Sequence, residues 1–247
     1  ITVGAVFLVT GASLATLPLY VHSQLGFGAD VVGAVAGAQF VSALLSRLWA
    51  GRMTDRRGPK HTLVVGLAMV ILAGIFYGGS TALSDQPMRA LALLFVGRAF
   101  LGGGESFIIT AGQSWGLLTA GPQSAALVIG WAGTALYIGL AAGGPMGGFI
   151  AGAWGFAGIA VITTALPLLT LALVSRLTSP PKPVPAKATP NRTVIAAVAR
   201  PGFAMCFAGF GYSSMAFFTV LLSVEEGWEL SWAPFTAFSV ALVLTRL

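Results

Sequence analysis

The sequence is poor in charge: 13 basic and 7 acidic side chains make up 8% of 247 residues, against roughly 25% in an ordinary soluble domain. So few charges cannot cover the water-facing surface of a fold this long. Cysteine occurs once, at Cys206, which excludes an intramolecular disulfide. Histidine occurs only at His22 and His61, both in or beside loops, so no cluster has the spacing of a zinc site and neither a metal nor another cofactor is expected. Paired nucleophile and base, or a glycine cradle for phosphate, are also missing, which removes the common enzyme signatures. The net charge of +6 would suit nucleic acid. The basic residues, however, fall in short loops on alternate sides of apolar runs, a pattern that membrane topology explains better, and no nucleic acid partner is expected.

Apolar residues, at 56%, are what the chain has in abundance. A bilayer interior cannot satisfy backbone hydrogen bonds, so a chain crosses it as helices or as a closed barrel. Long runs without period-two alternation predict helices. The fold class is therefore all-α, a polytopic membrane protein with the lipid bilayer as its first partner. About 20 apolar residues are needed per crossing. Seven such spans are predicted, over 1–20, 31–50, 62–82, 89–112, 126–150, 156–175 and 198–223, with a remnant from 232 onward. The first lacks a basic leader and is followed by a second span, so it reads as a retained helix rather than a signal peptide.

Arg47, Arg52, Arg56, Arg57 and Lys60 mark the loop between the second and third spans, and Arg176, Lys182, Lys187, Arg192 and Arg200 the loop between the sixth and seventh. The opposite loops hold Asp30, Asp85, Glu225, Glu226 and Glu229 with only Arg89. The positive-inside rule then places the N-terminus in the cytoplasm. The prolines of Ser179-Pro180-Pro181-Lys182-Pro183-Val184-Pro185 predict an extended spacer. Three units follow: a six-helix half over 1–175, a cytoplasmic linker over 176–197, and the start of a second half over 198–247. Gly11, Ser13 and Gly26-Phe27 have faint counterparts in Gly211, Ser213 and Gly227-Trp228, as parallel repeats would. The chain starts without Met and stops inside an apolar run, so it is expected to be part of a longer protein.

Three segments carry more specific information. The first is Gly51-Arg52-Met53-Thr54-Asp55-Arg56-Arg57-Gly58-Pro59-Lys60, where Gly51 and Gly58 are expected to allow tight turns and Asp55 lies among cations. The second is the fourth span, in which Arg98 and Glu105 stand within the membrane. Charge at that depth is costly and usually faces a cavity or a partner. Seven residues apart on a helix, the two lie on one face about 10 Å apart along the axis, too far for a tight pair but able to line one cavity. The third is the fifth span, with small-residue ridges Gly139, Gly143, Gly147, Ala151 and Gly144, Gly148, Gly152, which predict close helix approach, and Pro145, which offers a kink. Gln39, Gln113, Tyr137, Tyr212, Ser213 and Ser214 are further polar or amphipathic positions in or near the spans, candidates for contacts to a ligand.

The loop at 51–60 resembles the signature Gly-x-x-x-Asp-Arg-x-Gly-x-Lys of the major facilitator superfamily, at its expected place between the second and third helices. The resemblance implies a helical bundle of twelve spans, of which about seven to eight are present. It implies that Gly51, Asp55, Arg56, Gly58 and Lys60 bias the equilibrium between inward- and outward-facing states. The fourth span resembles the family's arginine motif, and Gly143-Gly144-Pro145-Met146-Gly147-Gly148 resembles the fifth-helix Gly-Pro motif of its antiporters. In the antiporter pattern two residues separate the proline from the paired glycines, and here only one does. The implied function is secondary active transport, with a small molecule and protons as partners, no enzymatic step, and export from a bacterial cytoplasmic membrane as the preferred direction. Arg98, Glu105, Gln39, Gln113 and Tyr212 are the expected substrate and coupling residues. Two alternatives stay open: Arg98 and Glu105 fix packing only, and the protein is a sensor or scaffold without a transport cycle.

Overall fold

A computed structural model describes residues 1–180 and 191–245; the side chains of several residues between 191 and 217, Tyr212 and Cys206 among them, lie outside the described set. Among the described residues the chain is helical throughout and has no strand. The helices are α1 (Thr2–Leu19), α2 (Ala29–Arg57), α3 (Pro59–Ala82), α4 (Pro87–Ala120), α5 (Ala125–Arg176), α6 (Asn191–Glu225) and α7 (Ala233–Leu244). A π-turn, Tyr20–Gln24, extends α1 beyond Pro18, and a 3₁₀ turn, Pro122–Ser124, leads into α5.

Local sequence chemistry sets the breaks. Pro59 and Pro87 are the first residues of α3 and α4, where a missing amide costs nothing and the fixed φ suits the first turn. Gly58, at φ 87°, ends α2 and caps α3, so the whole reversal is made by one residue. At 52 residues α5 is more than twice the length needed to cross a bilayer core of about 20 residues. Gly155 divides it, with φ 63° and ψ −162°, a conformation that only glycine adopts readily. The two limbs, 125–154 and 156–176, are the fifth and sixth spans, and the break falls at Gly155 while Pro145 stays inside a helix.

Several boundaries differ from the sequence reading. Helix α2 continues to Arg57 and α4 to Ala120, beyond the apolar windows. Charged side chains end α2, where Arg56 and Arg57 complement the helix dipole, while the extension of α4 beyond Gly112 is uncharged. Helix α6 begins at Asn191, inside the segment read as linker; most of that segment's proline run, 181–190, lies outside the described residues.

The most enclosed helix is α1, buried continuously from Val9 to Pro18. The first limb of α5 runs parallel to it, with backbones in contact through the first glycine ridge. A Cβ at Gly139 would lie 2.9 Å from the Leu8 amide nitrogen, one at Gly143 2.8 Å from that of Ala12, and one at Gly147 2.6 Å from the Ala12 Cα. The second ridge faces α7, with Gly144 against Phe235 and Thr236 and Gly148 under Trp232. The second limb of α5 packs along α3, where Gly74 meets Thr163 and Thr164. Large apolar side chains point outward instead of inward on α2, among them Leu44, Leu45, Leu48 and Trp49, so that side of the helix is apolar rather than suited to water.

Space, not propensity, fixes the first ridge. Gly143→Val is expected to destabilise the protein by at least the 1–3 kcal/mol typical of roughly one overpacked site, whereas Gly152→Ala, with nothing within 4 Å of the added Cβ, leaves it unchanged. Thermal melting in detergent checks both.

Candidate functional site

The two ionisable residues of α4 are buried against α1, α2 and α3. Arg98 is 0% and Glu105 5% exposed. Three hydrogen bonds from two donor groups converge on the Glu105 carboxylate. Gln39 of α2, itself 1% exposed, donates its amide Nε2 to both oxygens at 2.9 and 2.8 Å, and the Thr10 hydroxyl of α1 donates to one of them. An unpaired carboxylate buried away from water is very costly, and here hydrogen bonds from two neighbouring helices replace its hydration.

One level along the bundle, Arg98 donates Nη1 to the Ser13 hydroxyl of α1 at 3.0 Å and to the Tyr77 hydroxyl of α3 at 3.2 Å. Among the described residues its Nε and Nη2, and Oε1 of Gln39, have no partner. Thr10 and Ser13 are three residues apart on one face of α1, and the Ser13 hydroxyl also donates to the Thr10 carbonyl at 3.0 Å. The two rungs, Glu105 with Thr10 and Arg98 with Ser13, therefore join α1 to α4 at successive depths. The spare donors on Arg98 and the spare acceptor on Gln39 leave the cluster able to exchange partners: a protonated Glu105 would present an O–H that Oε1 of Gln39 could accept once its amide turns.

Glycines let the rungs reach. At Gly102 a Cβ would lie 3.0 Å from the Gln39 Cα, so α2 crosses α4 in backbone contact at the level of the carboxylate. Gly97 makes room for the Tyr77 ring, and Gly104 lies against Gly66 and Val70 of α3. Ser42 adds a hydrogen bond of 2.6 Å to the Ala99 carbonyl. Beyond Tyr77 the polar path ends in aromatic packing: Phe156 tilts against Tyr77 at 5.5 Å and stacks on Tyr20 at 4.2 Å. The Tyr20 hydroxyl is 3.0 Å from that of Ser80.

The structure thus brings Gln39, Arg98 and Glu105 into one cluster. Gln113, farther along α4 and partly buried, is not among the partners of Glu105. Tyr137 packs partly buried against the apolar core, and the Tyr212 side chain lies outside the described residues. Thr10, Ser13 and Tyr77 were not assigned to the site from sequence. Their signal was the pairing of two small hydroxyls at helical spacing in the first span and a lone tyrosine deep in the third, which an inventory of polar groups at one depth would have flagged.

The loop at 51–60 differs from the expectation in one respect. Gly51 is not in a turn; it sits inside α2 with open space around it, because the helix runs on to Arg57 and the reversal is made by Gly58 alone. Asp55 and Arg56 are exposed. Lys60 instead reaches across the bundle: its Nζ donates to the carbonyl oxygens of Ser175 and Leu177, the former at 3.0 Å. Those are acceptors at the end of α5, where a cation satisfies open carbonyls and the helix dipole together. The start of α3 is thereby tied to the end of the sixth span.

A family model described as the Major Facilitator Superfamily matches residues 1–247. The chain belongs to the major facilitator superfamily. This places it in a family of membrane transporters rather than enzymes, as an integral membrane protein. Among its relatives is the protein named "Uncharacterized MFS-type transporter YhhS" from Escherichia coli strain K12, 36% identical over 98% of this chain and 60% of the relative. Another is the "Uncharacterized MFS-type transporter STM4428" of Salmonella typhimurium strain LT2, 33% identical over 97% of this chain and 62% of that one. The chain of this superfamily member therefore spans about three-fifths of the length of those curated relatives. A solved D-xylose-proton symporter shares the fold, with a TM-score of 0.69 at 10% identity over 98% of this chain and 65% of that one.

In this member of the superfamily the rungs between α1 and α4 are expected to be energetically coupled. Thr10→Val and Tyr77→Phe should each cost about 0.6 to 1.7 kcal/mol, the range of buried hydrogen bonds between membrane helices. Thr10→Val should cost measurably less in a Glu105→Gln background, and strictly additive melting shifts would show that the two residues do not interact.

Proposed function

We propose that the protein is a secondary active transporter that exports a small organic molecule in exchange for protons by alternating access. The observation that carries the reading is the Glu105 cluster: a carboxylate buried in the bundle, held by α1 and α2, with an unused acceptor on Gln39 and unused donors on Arg98 at hand. Proton uptake on Glu105 removes an acceptor from the Thr10 and Gln39 donors and so changes the free energy with which α4 is held to its neighbours. A ligand or proton moves a two-state equilibrium only by such differential interaction. Arg98, with Nε and Nη2 unpaired among the described residues, is the group that answers this change or binds an anionic part of the substrate.

Gly58, Asp55, Arg56 and Lys60 supply the second element, a gating contact at the basic end of the bundle. The Lys60 clasp on Ser175 and Leu177 supports this role, since it joins two helices that a rocking motion would have to carry together. The fifth-span ridge of Gly144 and Gly148 against α7 supports a sliding contact between the halves. Its partial likeness to the antiporter Gly-Pro pattern favours export. The basic residues at the Gly58 end and the acidic ones at the other support a cytoplasmic N-terminus in a bacterial cytoplasmic membrane.

The test is counterflow and pH-gradient-driven flux in proteoliposomes with the full-length protein, over a panel of sugars and organic cations. Flux of one class should collapse with the gradient, and Glu105→Gln should retain counterflow while losing its response to pH. Unchanged proton dependence in Glu105→Gln would remove the coupling role, and binding without flux would mark a sensor.

A further inference from the structure

At the end of the bundle opposite Gly58 lies a cavity of about 290 Å³ between α1, the break in α5 and the connection from α6 to α7. Three departures from regular helix meet there: the π-turn Tyr20–Gln24, the break at Gly155, and the turn that precedes α7. In membrane proteins irregular backbone is tolerated where it is buried in protein or lines a cavity, and π-turns recur at functional sites. The space stays open because Gly148, Gly152 and Gly155 line it without side chains; nothing lies within 4 Å of where a Cβ of Gly152 or Gly155 would be.

The remaining lining has a definite chemistry. Tyr20, Phe156 and Trp232 contribute aromatic rings, Glu229 a carboxylate, and Gln24 and Ser231 neutral polar groups. Among the described lining residues none is basic. Trp232 is seated on Gly148, its Nε1 2.8 Å from where a Cβ of that glycine would be, so the indole is placed by backbone contact. Tyr20 and Phe156 are stacked on each other and almost fully buried, which leaves Trp232 as the aromatic wall; an indole π-face beside one carboxylate attracts a cation with a hydrophobic body, which gains cation–π and Coulomb energy together. An anion would meet Glu229 with nothing to offset it, and a neutral molecule would forgo both terms. Asp30, Asp85, Glu225 and Glu226 outnumber Arg89 in the loops and helix ends of this half of the membrane, so the field outside the cavity has the same sign preference. The volume lies at the small end of ligand sites, about 300 Å³ and upward.

We infer that this cavity is an outer vestibule for a small organic cation, with Glu229 as its counter-charge and Trp232 as its aromatic wall. The inference rests on the transport reading for its place in the cycle and narrows that reading to a substrate class. The binding itself needs no proton gradient, which separates the two experimentally.

Equilibrium binding of radiolabelled benzyltrimethylammonium to the purified full-length protein in detergent tests it. Saturable binding should be displaced by choline but not by 3,3-dimethylbutan-1-ol, its uncharged isostere. Glu229→Gln and Trp232→Ala should each weaken binding by about tenfold, as for loss of a cation contact of about 1.4 kcal/mol, and Gly152→Leu should block the space. Trp131→Ala, at an exposed tryptophan near the start of α5 and outside the cavity lining, should leave the affinity unchanged. No saturable binding, equal displacement by the uncharged isostere, an unaltered Glu229→Gln protein, or equal weakening in Trp131→Ala would each overturn the vestibule. Proton-driven flux measured separately on the same proteins reports on the transport reading alone.

Discussion

A carboxylate between helices in a bilayer has no water to turn to, and its hydrogen bonds must come from the protein. The Glu105 side chain satisfies that demand with Thr10 from α1 and Gln39 from α2, which fixes where both helices stand relative to α4. Arg98 does the same one level away with Ser13 and Tyr77, adding α3. Four helices are thus registered by two side chains of one helix. Because the apolar faces of helices gain little from one another in lipid, such polar contacts and close packing decide the register.

The hydrogen bonds are short because the helices are close, and they are close because of glycine. Gly102 brings the α2 backbone against α4 where Gln39 must reach Glu105, and Gly97 gives Tyr77 its place beside Arg98. The Gly139, Gly143 and Gly147 ridge presses α1 onto α5 and buries the hydroxyl-bearing stretch of α1 from Thr10 onward. Packing and polar chemistry are therefore one design: a larger residue at any of these contacts would separate donor from acceptor as well as helix from helix.

Much of this was legible in the amino-acid order. The apolar runs, the prolines at the starts of α3 and α4, and the Gly58 reversal follow from bilayer thickness and backbone geometry. The two glycine ridges of the fifth span could be read as contact faces from spacing alone, although not which neighbour each would meet. Helix ends were less legible, since α2 and α4 extend past their apolar windows through residues that hydropathy scores as loop. The turn expected at Gly51 is absent for this reason: a glycine in a polar stretch reads as a turn, but hydrogen bonding continues the helix through it.

Sequence by itself determined that the chain crosses a membrane as helices, that Arg98 and Glu105 share one face of a single span, and that the family signature lies between the second and third helices. Those properties depend on composition and on spacing within one segment. The partners of the two charges were decided only in three dimensions. Thr10, Ser13, Gln39 and Tyr77 come from three other helices, and which hydroxyl faces which charge depends on how far each helix slides and rotates against its neighbours. The Lys60 bond to Ser175 and the cavity beside Gly155 are of the same kind, contacts between residues more than a hundred positions apart in one case and an unfilled space in the other. No local pattern encodes either, because each exists only where separate helices end together.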